Sequence, residues 1–193
     1  MGNTPSKNAA LPLEIERKYL IHFPDLTGLE QKPDCRKLKM TQIYLKTEAG
    51  GRLRIRKVEE SGKISYYKTE KHDITTVTRT EVESVISQEE YEFLLLSADP
   101  QRRPIRKVRY CLPFSSHCFE IDVYPFWNDL AIMEVELASE QEAIIFPPEI
   151  SVIREVTDEP EYRNSSLALI AGNPVVPQES FCGISEQKRS SFF

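Results

Sequence analysis

Charged side chains recur at every second position in one short segment after another, and this period restricts the chain more than any other property of its sequence. Residues 13–20 read Leu-Glu-Ile-Glu-Arg-Lys-Tyr-Leu. Side chains of a β-strand alternate between its faces, so Glu14, Glu16 and Lys18 share one face while Leu13, Ile15 and Tyr19 share the other. The same separation returns in Arg52, Arg54 and Arg56 against Leu53 and Ile55, and in Arg79, Glu81 and Glu83 against Thr80 and Val82. It recurs in Lys107 and Arg109 against Val108 and Tyr110, in Glu120 and Asp122 against Phe119, Ile121 and Val123, and in Glu134 and Glu136 against Met133 and Val135. A period of two predicts half-buried strands.

Strands are therefore expected over 13–20, 41–47, 52–58, 63–71, 79–86, 105–112, 118–124 and 130–137. The second and third read as a hairpin about Gly50-Gly51, and Ser61-Gly62 leads into the next strand. One helix is announced by the capping box Ser87-Gln88-Glu89-Glu90, with Tyr91, Leu94 and Leu95 on one face and Asp99-Pro100 as its stop. A short helix is expected from Ser139, which has Glu142 at capping-box spacing and Pro147-Pro148 beyond, and a last one over 165–171, closed by Gly172. The fold class is α+β, mainly β: about eight short antiparallel strands with a few flanking helices, as in a barrel or a sandwich.

A chain of 193 residues suffices for one domain, placed at 13–172 between a polar arm at 1–12 and a polar tail at 173–193. No apolar run approaches the roughly 20 residues of a spanning helix. The net charge of −5 argues against a nucleic-acid partner, which selects for basic surfaces. Cys35, Cys111, Cys118 and Cys182 show neither a Cys-x-x-Cys pair nor zinc-site spacing, and without an export signal they read as reduced thiols of a cytoplasmic protein. The opening Met-Gly-Asn-Thr-Pro-Ser fits the myristoylation pattern with Gly2 as acceptor, and a membrane enters the picture only if that acylation occurs.

An ordinary sheet would turn such charged faces to water. Here the charges cluster by sign, three arginines on one strand and two glutamates on another, about 6–7 Å apart along the strand, an arrangement that costs repulsion unless a counter-ion is present. Carboxylates at 14, 16, 81, 83, 120, 122, 134 and 136 supply oxygens; cations at 18, 52, 54, 56, 71, 79, 107 and 109 supply donors. Hard oxygens suit Mg²⁺ or Mn²⁺, and guanidinium forks suit phosphate. A metal with several phosphates balances both sets.

Glu14-Ile15-Glu16-Arg17-Lys18 resembles the Glu-x-Glu-x-Lys signature of the CYTH domain, the triphosphate tunnel metalloenzymes. The likeness continues in order through Gln42-Ile43-Tyr44-Leu45, Arg52-Leu53-Arg54, Thr69-Glu70-Lys71, Glu81-Val82-Glu83, Lys107-Val108-Arg109-Tyr110, Glu120-Ile121-Asp122, Glu134-Val135-Glu136 and Glu155-Val156-Thr157. The resemblance implies a closed antiparallel eight-strand β-barrel, a tunnel that acts on triphosphates with divalent cations. It implies metal ligation by Glu14, Glu16, Glu134 and Glu136 with Asp122 nearby, and phosphate binding by Lys18, Arg52, Arg54, Lys71, Lys107, Arg109 and Arg154. Glu81, Glu83 and Glu120 are further acids of the tunnel. Arg154 stands where the family often has Lys, and the segment before Tyr44 lacks the family's common glycine.

The expected activity is hydrolysis of tripolyphosphate or a small organic triphosphate by in-line attack of water, with Lys71 or Lys107 as the base. An adenylyl cyclase and a non-catalytic polyphosphate-binding tunnel are the alternatives, and the sequence offers no base-reading motif in favour of the cyclase. A homodimer is expected by analogy alone.

Overall fold

The computed structural model describes residues 13–47, 52–73, 78–169 and 174–176, and within these the side chains at 13, 14, 52, 71–73 and 78–81 stand outside the description. The strands are β1 (Leu13–His22), β2 (Arg36–Tyr44), β3 (Arg52–Glu60), β4 (Lys63–Asp73), β5 (Thr78–Ile86), β6 (Ile105–Phe114), β7 (His117–Val123), β8 (Leu130–Glu136) and β9 (Val152–Glu155). Helices α1 (Leu26–Glu30), α2 (Gln88–Leu95) and α3 (Asn164–Leu167) flank them, with a 3₁₀ turn at Pro160–Tyr162. The arm at 1–12 with Gly2, and the tail apart from 174–176, lie outside the described residues. No described helix is long and apolar enough to cross a membrane.

The mainly β, antiparallel architecture with few helices is present, but the closed eight-strand barrel is corrected. One sheet of nine strands runs β5-β4-β3-β2-β6-β7-β8-β1-β9. β5 also meets β1, over Leu13↔Thr80, Glu14↔Arg79 and Ile15↔Thr78 alone, so the sheet is not closed along its length. Beyond Ile15 the outer edge of β1 needs other partners for its backbone groups. β9 supplies them: Tyr19 faces Glu155, Leu20 faces Arg154, and Val156 N–H donates to Lys18 O at 2.8 Å. The ninth strand exists because the fifth covers so little of the first.

Register carries the charged positions from strand to strand. Glu16 stands opposite Glu136 and Lys18 opposite Glu134; Glu134 stands opposite Glu120, and Asp122 opposite Arg109. Lys107 faces Met40, Gln42 faces Arg56, Arg54 faces Thr69, and Thr69 faces Glu83. Cross-strand partners occupy the same face, so these positions form one surface. The opposite face of β1, β6, β7 and β8 is apolar, with Tyr19, Ile21, Tyr110, Phe119, Ile121 and Met133 buried together.

Past the charges, the same polar-face positions become hydrophobic. Leu20, Tyr44, Ile105, Tyr124 and Ile132 pack with Trp127, Tyr162 and Leu167 into a second cluster. Tyr124 OH donates to Asn164 Oδ1 at 2.8 Å and ties α3 to this layer. The charged surface is therefore covered by apolar packing at one end.

Local signals explain the helices. Ser87 caps α2 by accepting the Glu90 N–H at 3.1 Å, as its capping box requires. The helix expected from Ser139 does not form. Glu142 accepts the Ala138 N–H at 2.6 Å, but the residues after it remain non-helical, and Phe146 packs edge-on against Tyr19 with ring centroids 5.0 Å apart. The bond goes to the residue before Ser139, so the capping box is not made, and the partly buried ring packs the segment against β1. α3 covers Asn164–Leu167, whereas 165–171 was expected, and α1, capped by Asp25, was not anticipated.

Phe119 is fully buried in the apolar layer. Phe119→Ala should lower stability by about 3–5 kcal/mol through lost burial and a residual cavity, read as a reduced urea midpoint at unchanged slope.

Candidate active site

The β6–β7 hairpin turns at Ser115, whose φ of 55° lies in the left-handed region. Its register sets Arg109 opposite Asp122. Arg109 Nε and Nη2 donate to the two Asp122 oxygens, each at 2.7 Å. This fork-on-carboxylate geometry fixes the guanidinium plane. Arg109 Nη2 also donates to Glu134 Oε2 at 2.7 Å, and Nη1 to Glu120. Lys107 donates to Asp122 from the same strand. Lys18 Nζ stands 2.5 Å from Glu134 Oε1 and 3.9 Å from Glu16 Oε1. Lys107 and Asp122 are 2% and 0% exposed, and Glu16, Lys18, Arg109 and Glu134 are also buried.

Charges so enclosed must be paired, and their protonation follows from that pairing. Burial pushes Lys107 down to about 7, helped by Arg109 beside it and opposed by Asp122 and Glu134. Burial alone would raise Glu134, but Lys18, Arg109 and Lys107 hold it well below the ordinary carboxylate range. Asp122 is likewise lowered, because Arg109 and Lys107 outweigh its burial.

A second group lies across β3, β4 and β5. Arg56 donates to Glu83, and Thr69 Oγ1 donates to Glu83 Oε2 at 2.8 Å. Burial lowers Arg56, and so do Arg54 and the more distant Arg109. Arg56 Nε and Gln42 Oε1 are buried without a hydrogen-bond partner among the described residues. An excess of positive charge with an unused N–H is suited to an anion.

A cavity of about 430 Å³ opens beside the first group, lined by Glu16, Glu120, Glu134 and Glu136 with Ser116, His117 and Cys118 among its other walls. Glu136, the last residue of β8, is exposed at this mouth. Its carboxylates are oxygen donors of the type a hard divalent cation takes. Among the described residues no three His, Cys, Asp or Glu side chains already stand as a cage; Lys18 bridges Glu16 and Glu134 instead. In chemistry the donor set fits Mg²⁺ or Mn²⁺.

The structure brings together Glu16, Lys18, Lys107, Arg109, Glu120, Asp122 and Glu134, and sets Arg54 and Glu83 on the same face. Arg154 stands apart from them, on β9, half-exposed and bonded to Glu159 and, at 3.1 Å, to Tyr162 OH. The side chains of Glu14, Arg52, Lys71 and Glu81 lie outside the description; in register Glu14 faces Arg79, and Lys71 faces both Arg52 and Glu81. Thr69 and Thr157 stand in motifs quoted from the sequence, Thr69 on one face with Lys71, but the sequence assigned neither a role. Thr157 Oγ1 accepts the Lys18 N–H at 3.0 Å and donates to Glu155 at 2.7 Å, which anchors the backbone at Lys18.

Fold and site define a class: a mainly β protein built round a buried face of interlocked carboxylates, lysines and arginines. The CYTH domain model matches residues 12–149, and the chain belongs to that family. It is 33% identical over 161 residues to an inorganic triphosphatase of Nitrosomonas europaea, covering 81% of this chain and 97% of that one. An inorganic triphosphatase of Acetivibrio thermocellus is 30% identical over 159 residues, 80% and 92% of the two chains. A crystal structure of an inorganic triphosphatase, 30% identical, superposes with a TM-score of 0.51 over 81% of this chain and 94% of the other.

Asp122→Asn removes the shared counter-charge of Lys107 and Arg109 and should cost about 3–5 kcal/mol. Because Asp122 and Glu134 have depressed values in the fold, their stabilisation is complete above the unfolded carboxylate values of about 4 and is lost as pH falls below them. Urea unfolding across the acid range should show a flatter acid limb for Asp122→Asn than for the parent protein.

Proposed function

We propose that this chain is a divalent-metal-dependent triphosphatase that hydrolyses the terminal phosphoanhydride of inorganic tripolyphosphate or a small organic triphosphate, such as thiamine triphosphate or a nucleoside triphosphate. The observation that carries this reading is the buried array in which Arg109 joins Asp122, Glu120 and Glu134 while Lys18 joins Glu134 and Glu16. Anion-binding and cation-binding groups occur there on one face. Membership of the CYTH family and the likeness to the two triphosphatases support it. The functional unit is assigned to 13–172, with 1–12 and 173–193 as appended segments, and the protein is taken to be cytoplasmic.

Glu14, Glu16, Glu134 and Glu136 would hold Mg²⁺ or Mn²⁺, with Asp122 nearby. When bound, the metal would screen phosphate charge and acidify the attacking water. The chain's own residues do the rest. Lys18, Arg54 and Arg109, joined by Arg52 and Lys71 on β3 and β4, take up charge on the phosphoryl oxygens as water adds in line and the bond to diphosphate breaks. Lys71 and Lys107 are the candidate acceptors of the water's proton; Arg154, bonded to Glu159 and Tyr162 away from the array, would join the phosphate ligands only by leaving those partners.

Purified protein given tripolyphosphate, thiamine triphosphate or ATP, with Mg²⁺ or Mn²⁺ and with EDTA, should release orthophosphate in the metal-containing reactions. Cyclic AMP with diphosphate would replace this reading with a cyclase, and binding without product would end both. Glu16→Gln should abolish metal-dependent turnover; retained activity refutes the assignment. Lys107→Ala should lower kcat by about 10²-fold or more if Lys107 moves the proton, whereas a clamp would mainly raise KM.

A further inference from the structure

Among the polar residues of the charged face, Gln42 has no part in the hydrolytic scheme. We propose that Gln42 is a substrate-binding residue whose side-chain amide turns over when a triphosphate enters and donates a hydrogen bond to a phosphoryl oxygen beside Arg56. The inference deepens the triphosphatase reading and rests on it. Gln42 is 0% exposed, where glutamine seldom sits. Its ladder partners are Arg56 on β3 and Ile105 on β6, so it stands on the charged face with a guanidinium on one side and apolar packing on the other.

A glutamine amide offers two N–H donors and a carbonyl with two lone pairs. Gln42 Nε2 donates to Tyr44 OH at 2.7 Å, whereas Oε1 has no hydrogen-bond partner among the described residues. Arg56 Nε, on the residue directly across the ladder, has none either. A buried acceptor and a buried donor on facing residues therefore leave each other unused, and neither recovers the cost of its desolvation. Packing alone does not account for a polar pair kept in that condition.

A phosphate between them does. A carbonyl oxygen turned toward an anion repels it, but the last side-chain torsion of glutamine is broad and two-fold. Half a turn keeps the contact with Tyr44, whose hydroxyl then donates to Oε1, and it brings the N–H donors to where Oε1 stood. Gln42 Nε2 and Arg56 Nε then present their N–H groups to the same phosphoryl group. Tyr44 is suited to hold the amide either way, since a hydroxyl both accepts and donates, and Arg102 Cζ lies over its ring 5.3 Å from the centroid. Arg54, across from Tyr44, and Arg56 already set two like charges along β3. A neutral donor adds a contact to the anion without adding to their mutual repulsion.

Calorimetric titration of the full chain with diimidotriphosphate, the tripolyphosphate analogue with N–H bridges, in the presence of Mg²⁺ reads this contact without turnover. Gln42→Met keeps the length of the side chain and removes its hydrogen bonds, and affinity should fall about tenfold or more, the loss expected for one hydrogen bond to a charged group. In Gln42→Glu the carboxylate accepts from Tyr44 OH and from Arg56 Nε, so the urea midpoint should hold or rise while affinity falls further. A purely structural glutamine would not separate stability from affinity in this way.

Affinity within twofold of the parent in Gln42→Met assigns the amide to packing and internal hydration and overturns the proposal. Should Gln42→Met not fold, Gln42→Glu decides alone, and parent-like affinity there overturns it equally. Failure of the parent protein itself to bind the analogue ends the triphosphate reading of this face and the inference with it, an outcome distinct from unchanged binding in the variants.

Discussion

A guanidinium taken out of water must find acceptors for its donors, and Arg109 sets that demand at the centre of this sheet. It is met from two neighbouring strands: both oxygens of Asp122 and one of Glu120 from β7, and one of Glu134 from β8. The fork geometry tolerates little displacement, so the relative register of β6, β7 and β8 and the conformation of the charged face are fixed together. Lys107 and Lys18 then complete the carboxylates that Arg109 leaves partly satisfied. A buried array of this kind contributes less to net stability than apolar packing of equal volume would, because desolvation offsets most of the Coulomb gain. Its retention in so central a position is better explained by what the face binds than by what it stabilises.

How much of this was legible in the sequence depends on which property the period of two encodes. It encodes face, and it separated Glu16, Lys18, Arg109, Asp122 and Glu134 from Tyr19, Tyr110, Ile121 and Met133 correctly, because a strand residue on the wrong face would expose an apolar group or strand a charge. It does not encode what lies beside a strand. The ninth strand arose from unpaired backbone on β1 beyond Ile15, a quantity visible only when the extent of β5 is known. The Ser139 segment shows the same limit from the other side: Glu142 stands at capping-box spacing but accepts the N–H of Ala138 and not that of Ser139, and Phe146 packs against Tyr19 where a helix was expected. Ion-pair partners were also illegible, since the sharing of Asp122 by Lys107 and Arg109 depends on side-chain reach across a particular register.

The two ends of the charged face differ in a way that bears on its chemistry. At one end Leu20, Ile105, Tyr124 and Ile132 replace the charges at the same strand positions, and Lys107 lies with its ammonium 6.0 Å from the Tyr124 ring. Apolar packing there lowers the local dielectric around Lys107 and Asp122 and strengthens every charge interaction around them. The other end is open and acidic, with Glu136 exposed beside Glu16, Glu120 and Cys118. A multiply charged anion approaching this acidic rim unaccompanied would be repelled, while one escorted by a divalent cation would not, and once inside it would meet Arg109, Arg56 and Lys18. Sequential presentation of acid and then base along one face favours a metal-complexed anion over a bare one, and it follows from the same strand register that satisfies Arg109.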